Sequence, residues 1–275
     1  MRRFLRHKLI VAGSLIIILL AVIALFGSYL APYDPEAMNF AAVFAPPSWA
    51  HPFGTDEFGR DVFSRVLYGA AVSFRVAIVA VGISGVAGVV LGALAGFYGR
   101  WLDEIIMRIM DILFAFPAVL LAITVMAILG RGVTNAMIAI AVVYTPIFAR
   151  VTRGAVISVR GREFVHAARA LGQSNGQIII KHILPNALAP IIVQTSLSLA
   201  FAILAEAALS FFGLGTQPPD PSWGRMLSEG RSFLNQAPWM GIFPGLAIML
   251  SVMGFNFLGD GLRDLLDPRL KTVLN

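Results

Sequence analysis

The sequence predicts an all-α integral membrane protein with six transmembrane helices, and two observations carry that reading. Hydrophobic residues make up 58% of the 275-residue chain and charged ones 13%, against about a quarter charged in soluble domains. Six runs, spanning 9–33, 76–99, 112–130, 132–149, 187–209 and 240–259, carry between them a single charged residue, Glu206. At 1.5 Å per residue each approaches or exceeds the roughly 30 Å hydrocarbon core of a bilayer. Six helices with almost no polar face are more than a soluble domain can bury.

Residues 1–33 comprise a basic start, MRRFLRHK, and the first run. Thirteen strongly apolar side chains lie between Leu9 and Phe26, so insertion is favoured by roughly 4 to 8 kcal/mol. The run exceeds the usual core of a cleaved signal, which predicts an uncleaved signal anchor. Residues 34–75 form an extracytoplasmic segment with the proline-rich APPSWAHP (45–52) followed by FGTDEFGRDVFSRVLYGA (53–70). There Phe58, Val62 and Val66, with Phe63, Leu67 and Ala70 beside them, make an apolar stripe. This predicts a helix lying along the membrane surface ahead of span two, as a solvated cap or as a surface facing substrate or a partner.

Residues 76–275 form the remaining five-span core. Span two carries Gly82, Gly85, Gly88, Gly92 and Gly96, with GxxxGxxxG from Gly88 to Gly96. Small residues at this spacing let helix backbones approach closely, either within the chain or against a second membrane subunit. Pro117 and Pro146 are predicted to kink spans three and four.

Between spans four and five lies a basic, helix-forming island, residues 150–185. Its segment GREFVHAARALGQSNGQIIIKHILP (161–185) contains its own stop and start signals. A first helix over about 162–171 ends at Gly172, because glycine readily takes the left-handed conformation that closes helices. Ser174 starts a second, with Gln177 three residues on completing a capping box. That helix must end before Pro185, which lacks an N–H and disfavours a helical residue ahead of it. Two short helices joined by a glycine turn predict a docking element, with Ile178, Ile179 and Ile180 anchoring the second helix against the bundle.

Span five contains Glu206, the only acid well inside a span. A charge there costs about 2.5–3.5 kcal/mol. It is a candidate for the translocation pathway, together with Asn256 in the last span, or it bonds helix ends within the subunit. The segment 213–239, with GLGTQPPDPSWG, is predicted to be a rigid, turn-rich loop.

Lysine and arginine set the orientation. With the N-terminus inside, fifteen of the 21 fall on the cytoplasmic side and six outside, while the acids divide evenly. Both termini are therefore expected in the cytoplasm. This asymmetry accounts for the net charge of +6 without invoking nucleic acid, for which no motif is present. The chain has no cysteine, and its four histidines lack metal-ligand spacing with acids. No phosphate-cradling, nucleophile-elbow or zincin motif occurs. A self-sufficient channel or secondary transporter would need an internal repeat or broken half-helices around an ion site. A membrane-embedded hydrolase would need paired catalytic side chains within the spans.

The island with Ala167, Ala168, Gly172, Leu184 and Pro185 resembles the EAA loop of binding-protein-dependent ABC importer permeases. It departs from that pattern at His166, where the family has glutamate, and at His182, where it has isoleucine. Glu163, one turn earlier, presents a carboxylate on the same face. HPFGTDEFGRDVFSRVLYGA, IIMRIMDILFAFP, LSFFGLGTQPPDPSWG and FNFLGDGLRDLLDPRL extend the likeness over nearly the whole chain, to the C-type permease subunits of dipeptide and oligopeptide importers. The resemblance implies an N-terminal helix plus a five-helix ABC importer core in the bacterial inner membrane. It implies a B-type permease partner, two cytoplasmic ATPases that use ATP and Mg, and an extracytoplasmic substrate-binding protein. No cofactor is expected on this chain. For the loop it implies ATPase coupling through Glu163, His166, Ala167, Ala168, Leu171, Gly172 and Pro185.

Overall fold

The computed structural model describes residues 8–266; the basic tail before Lys8, and Arg269 and Lys271, which enter the charge count above, lie outside them. Ten helices follow in chain order: α1 (Lys8–Leu30), α2 (Val62–Tyr98), α3 (Arg100–Phe114), α4 (Ala118–Leu129), α5 (Val133–Arg160), α6 (Glu163–Ala170), α7 (Asn175–Ile178), α8 (Leu184–Phe211), α9 (Trp223–Gly230) and α10 (Trp239–Leu266). A π-helical turn, Ile179–Ile183, joins α7 to α8. Five of the resulting helical stretches are long and apolar enough to cross a membrane. The bent α3–α4 pair makes a sixth if it is counted as one span.

The bundle is organised around α2 and α5, because the glycine pattern packs within the chain. A Cβ at Gly88 would strike Phe148 Cβ and lie 2.7 Å from the Thr145 carbonyl oxygen; one at Gly96 would lie 2.9 Å from both the Arg153 carbonyl oxygen and Val156 Cβ. Only hydrogen at these positions lets the two backbones meet. α8 and α10 complete the core, where Ala77, Ala80, Ile140, Phe148 and Ile203 are buried. α1 lies against α10, where a Cβ at Gly13 would meet the Leu258 nitrogen at 2.7 Å. Its Leu15, Ile18, Leu25 and Tyr29 remain exposed, as suits a lipid-facing surface.

Several expectations are corrected. The separate surface helix before span two does not form, and the boundary near residue 75 dissolves. α2 is capped by Asp61, whose carboxylate accepts from the Ser64 N–H at 2.7 Å, and runs unbroken for 37 residues, about 55 Å. No glycine or proline interrupts 71–81. Arg65, on the first turn of α2, is buried: Nη2 donates to Glu229 at 3.1 Å and Nη1 to the Pro35 carbonyl at 3.0 Å.

Span three is broken rather than kinked. α3 and α4 meet at 94° because Pro117 forces Phe116 out of the helical region. α4, with 12 residues, is too short to span alone. Span four, expected to stop at Ala149, continues to Arg160. Arg153 grips Asp103 of α3 through two bonds of 2.5 and 2.7 Å, so the first part of the basic island belongs to the bundle. Finally, Pro185 does not end the helix that starts at Ser174. The π turn widens the ring ahead of the proline, with the Leu184 N–H reaching the Ile179 carbonyl, which relieves the clash of the proline ring with the preceding turn.

At the end opposite the α6–α7 loop, 31–61 and 212–238 fold into a cap. Trp239 Nε1 donates to the Thr55 carbonyl at 2.9 Å and Trp223 Nε1 to the Val66 carbonyl at 3.0 Å. Phe53 stacks on Phe243 at 3.7 Å. Residues 213–239, expected to be a turn-rich loop throughout, are so only up to Pro221: Ser222 caps α9, because no proline follows until Pro238.

Candidate functional site

The loop between α5 and α8 is built from local signals that agree with each other. α6 closes in a Schellman motif, in which the Gln173 N–H reaches the Ala168 carbonyl at 3.2 Å and the Gly172 N–H reaches that of Arg169 at 3.0 Å. Gly172 supplies the required left-handed residue, with φ of 76°. Ser174 and Gln177 form the reciprocal capping box that starts α7. His182 Nε2 donates to Gln173 Oε1 at 2.7 Å, tying the turn back to the π segment.

α6 has two faces. Val165 and Ala168 point inward, into a cluster with Phe97 of α2, Val156 and Val159 of α5, and Ile178, Ile179 and Ile183 beyond the turn. Glu163, His166, Ala167, Leu171, Gly172 and Pro185 are exposed, and Leu171 is 81% so. Six of the seven expected loop residues thus share the surface, while Ala168, at 4% exposure, anchors the helix from beneath. Ile180, expected to anchor α7, is exposed at 67%; Ile183, fully buried, holds that place. The wider π turn shifts the inward face by one position. Two contacts lay beyond sequence reasoning. Arg160 Nη1 donates to the Gly96 carbonyl at 2.7 Å, and Arg169 lies over the Phe97 ring at 6.0 Å. Both fasten the loop to the end of α2, and no spacing in the chain announces either.

The arrangement is mechanical rather than chemical. An exposed helix is clamped by a small apolar core onto the ends of α2 and α5, which meet closely at Gly88, Gly92 and Gly96. Among the described residues no group of three or more His, Asp or Glu side chains is placed to hold a metal.

Glu206 is placed differently from a pathway-lining group. It is 1% exposed; Oε1 accepts from Ser210 Oγ at 2.7 Å and Oε2 from Ser73 Oγ at 2.9 Å. Ser210 in turn accepts from the Thr216 N–H at 3.0 Å, so the carboxyl joins α2, α8 and the cap. Of the two readings left open for it, the contacts favour bonding within the subunit. Glu206→Ala leaves two buried hydroxyls without their acceptor and is expected to cost about 1–3 kcal/mol. Glu206→Gln, retaining an acceptor, costs less, and thermal unfolding in detergent distinguishes the two. Asn256 lies half-buried on α10. Two sizeable cavities open in the bundle, one of about 370 Å³ between α4, α5 and α8 and one of about 550 Å³ along α2 and α8. Neither Glu206 nor Asn256 lines either of them.

Comparison with known proteins bears on this geometry. The family model described as binding-protein-dependent transport system inner membrane component matches residues 88–272, and that of the N-terminal TM domain of oligopeptide transport permease C matches 1–47. A dipeptide transport system permease protein, DppC, of Alkalihalophilus pseudofirmus is 52% identical over 267 residues, covering 97% of this chain and 88% of that protein. A glutathione transport system permease protein, GsiD, of Pectobacterium atrosepticum is 47% identical over 98% of this chain and 90% of its own length. The same-named protein of an Escherichia coli strain is 46% identical over 98% and 89%. In fold, the chain resembles an inward-facing structure of the MetNI methionine ABC transporter, with a TM-score of 0.59 and 19% identity over 76% of this chain and 96% of that one.

Proposed function

The chain belongs to the binding-protein-dependent transport system inner membrane components, and on that premise we propose that it carries short peptides inward with its α6–α7 loop as the coupling element. It is a multi-pass permease subunit of an ABC importer rather than an enzyme. The observation that carries the coupling role is the division of α6, whose Val165 and Ala168 are locked into the ends of α2 and α5 while Glu163, His166, Ala167 and Leu171 face outward. Such a surface suits a groove on a cytoplasmic ATPase. Closure of two partner ATPases around ATP and Mg would pull the loop and rock this subunit against a second, B-type permease between inward- and outward-facing states. An extracytoplasmic binding protein delivers the substrate, and surrounding lipid holds the exposed faces. The excess of basic residues on the loop side supports an orientation with both termini in the cytoplasm of a bacterial inner-membrane protein.

The relatives named for dipeptides and glutathione support amide-linked substrates of two or three residues. Uptake of labelled dipeptide and of glutathione by the assembled system in proteoliposomes tests this; transport of neither overturns it.

Gly172 tests the coupling. A Cβ there meets nothing within 4 Å, so Gly172→Val strains only the left-handed backbone, by about 1 kcal/mol. The bundle should insert and fold normally, yet the turn that aims α6 is disturbed. ATP-driven uptake is expected to fall at least about tenfold while subunit expression and membrane insertion persist. Unchanged uptake overturns the coupling role.

A further inference from the structure

The cavity between α4, α5 and α8 is distinguished by one side chain. Tyr144 is 8% exposed and lines the 370 Å³ space, and its hydroxyl bonds to none of the described residues. It is the twelfth residue of α5, about 17 Å from that helix's start, close to mid-depth in a bilayer. The space exists because Ala118, Ala122, Ala205 and Ala208 face it from α4 and α8. Its volume falls within the range of small-ligand sites.

The hydroxyl is open to whatever enters the cavity rather than sealed in the core, and an acyl chain from the bilayer offers it no partner. A peptide bond does. A second, smaller cavity of about 110 Å³ also touches Tyr144 and Ala118, and it adjoins Leu113 and Phe114 at the end of α3. At the 94° break the Ala115 N–H serves the carbonyls of Asp111 and Ile112, while Pro117 has no N–H to offer that of Leu113, which leaves an acceptor suited to a peptide N–H group. The larger 550 Å³ groove along α2 and α8 provides the contrast. Its one hydroxyl, Thr195 Oγ1, already donates to the Ile191 carbonyl at 2.8 Å, leaving a surface with nothing to offer but apolar contact.

Resting on the reading of peptide import, the geometry points to a transient substrate subsite within the membrane. The Tyr144 hydroxyl bonds the backbone of a passing peptide while the alanine-lined cavity accepts one of its apolar side chains. This subunit then contributes its own selection, for side-chain size, after the binding protein has released its load.

The test uses the complete importer in proteoliposomes, with its partner permease, ATPases and binding protein, supplied with glycylglycine and with phenylalanylphenylalanine. Tyr144→Phe keeps the ring and removes the hydroxyl; it is expected to lower uptake of both peptides about three- to tenfold while binding-protein-stimulated ATP hydrolysis persists. Ala205→Leu narrows the cavity and is expected to abolish uptake of the bulky peptide while leaving glycylglycine within about twofold. A photo-cross-linker at position 144 is expected to label peptide during turnover. Wild-type uptake by both variants overturns the subsite, as does cross-linking confined to lipid or to the second permease. If Ala205→Leu fails to assemble, Tyr144→Phe and the cross-linker still decide the matter. Should the unaltered importer move no peptide at all, the import reading fails first and the subsite falls with it.

Discussion

Gly92→Leu is expected to abolish the folded bundle. A Cβ at this position would strike the Ala149 carbonyl oxygen and lie 2.8 Å from Thr152 Cβ and 3.0 Å from the Arg153 nitrogen. These are backbone and branched-carbon atoms of the facing helix, which cannot rotate aside. α5 must therefore move away from α2 along the contact that organises the molecule. In lipid, close packing is itself the force that associates helices, so a separation of an ångström or two loses dispersion along several turns. Overpacking a tight core costs about 1–3 kcal/mol or more, and here the long leucine has no neighbouring void. Gly82→Leu is the matched control. A Cβ at Gly82 meets nothing within 4 Å, so the same substitution ten residues earlier should be tolerated. Size-exclusion profiles and thermal unfolding in detergent compare them; equal stability of the two variants would refute the glycine-mediated contact.

Arg65→Met carries the second large effect, at the cap. Arg65 is 1% exposed and lies 3.1 Å from Glu229 and 3.7 Å from Asp56, while also holding the Pro35 carbonyl. Arg60 shares the same acids, at 2.6 Å from Asp56 and 3.5 Å from Glu229. Without Arg65, Asp56 keeps Arg60 and Glu229 keeps Arg60 and Arg225, the latter at 2.8 Å, but the cluster carries one more uncompensated negative charge and the Pro35 carbonyl loses its donor, at a cost of about 1–3 kcal/mol. Arg65→Lys should rescue little, because an ammonium cannot serve Glu229 and the Pro35 carbonyl in the guanidinium's fork geometry. Adding Glu229→Gln to Arg65→Met removes the excess negative charge and should recover part of the loss. The unfolding midpoints of the three variants check this, and a wild-type midpoint for Arg65→Met would remove the network from the account. Glu57 stands at the edge of this cluster, its carboxyl pushed above the usual range chiefly by burial.

The chain's legible features are those whose cause lies within a few residues. Gly172 and Ser174 announce the loop because a Schellman turn and a capping box are bonds between near neighbours. The apolar runs announce the spans because lipid rewards every uncharged side chain independently of its partners. Even the departure at His166 is visible as a single substitution against a known pattern. Arg65 was not legible, since its partner Glu229 is 164 positions away and an arginine beside an apolar stripe looks like a solvated one. Nor was the division between Ala167 and Ala168. Both are small, and their fates differ only by the 100° step of a helix whose orientation is set by Phe97, Val156 and Ile183. Pro185 misled for the same reason: a proline stops a helix locally unless the packed segment around it is held in a wider turn.

Local chemistry in the chain thus suffices to specify that it crosses a membrane, where its apolar runs lie, and that a capped helix pair is presented at one end, but not that α2 reaches back to Val62 or that α5 continues to Arg160. Which faces meet, which alanine is anchor and which is surface, why Glu206 is bonded and Tyr144 is not, all depend on how the helices are rotated against one another. That rotation is settled by contacts between residues far apart in the chain, such as Gly92 against Ala149 and Ser73 against Glu206, and no short-range pattern encodes it.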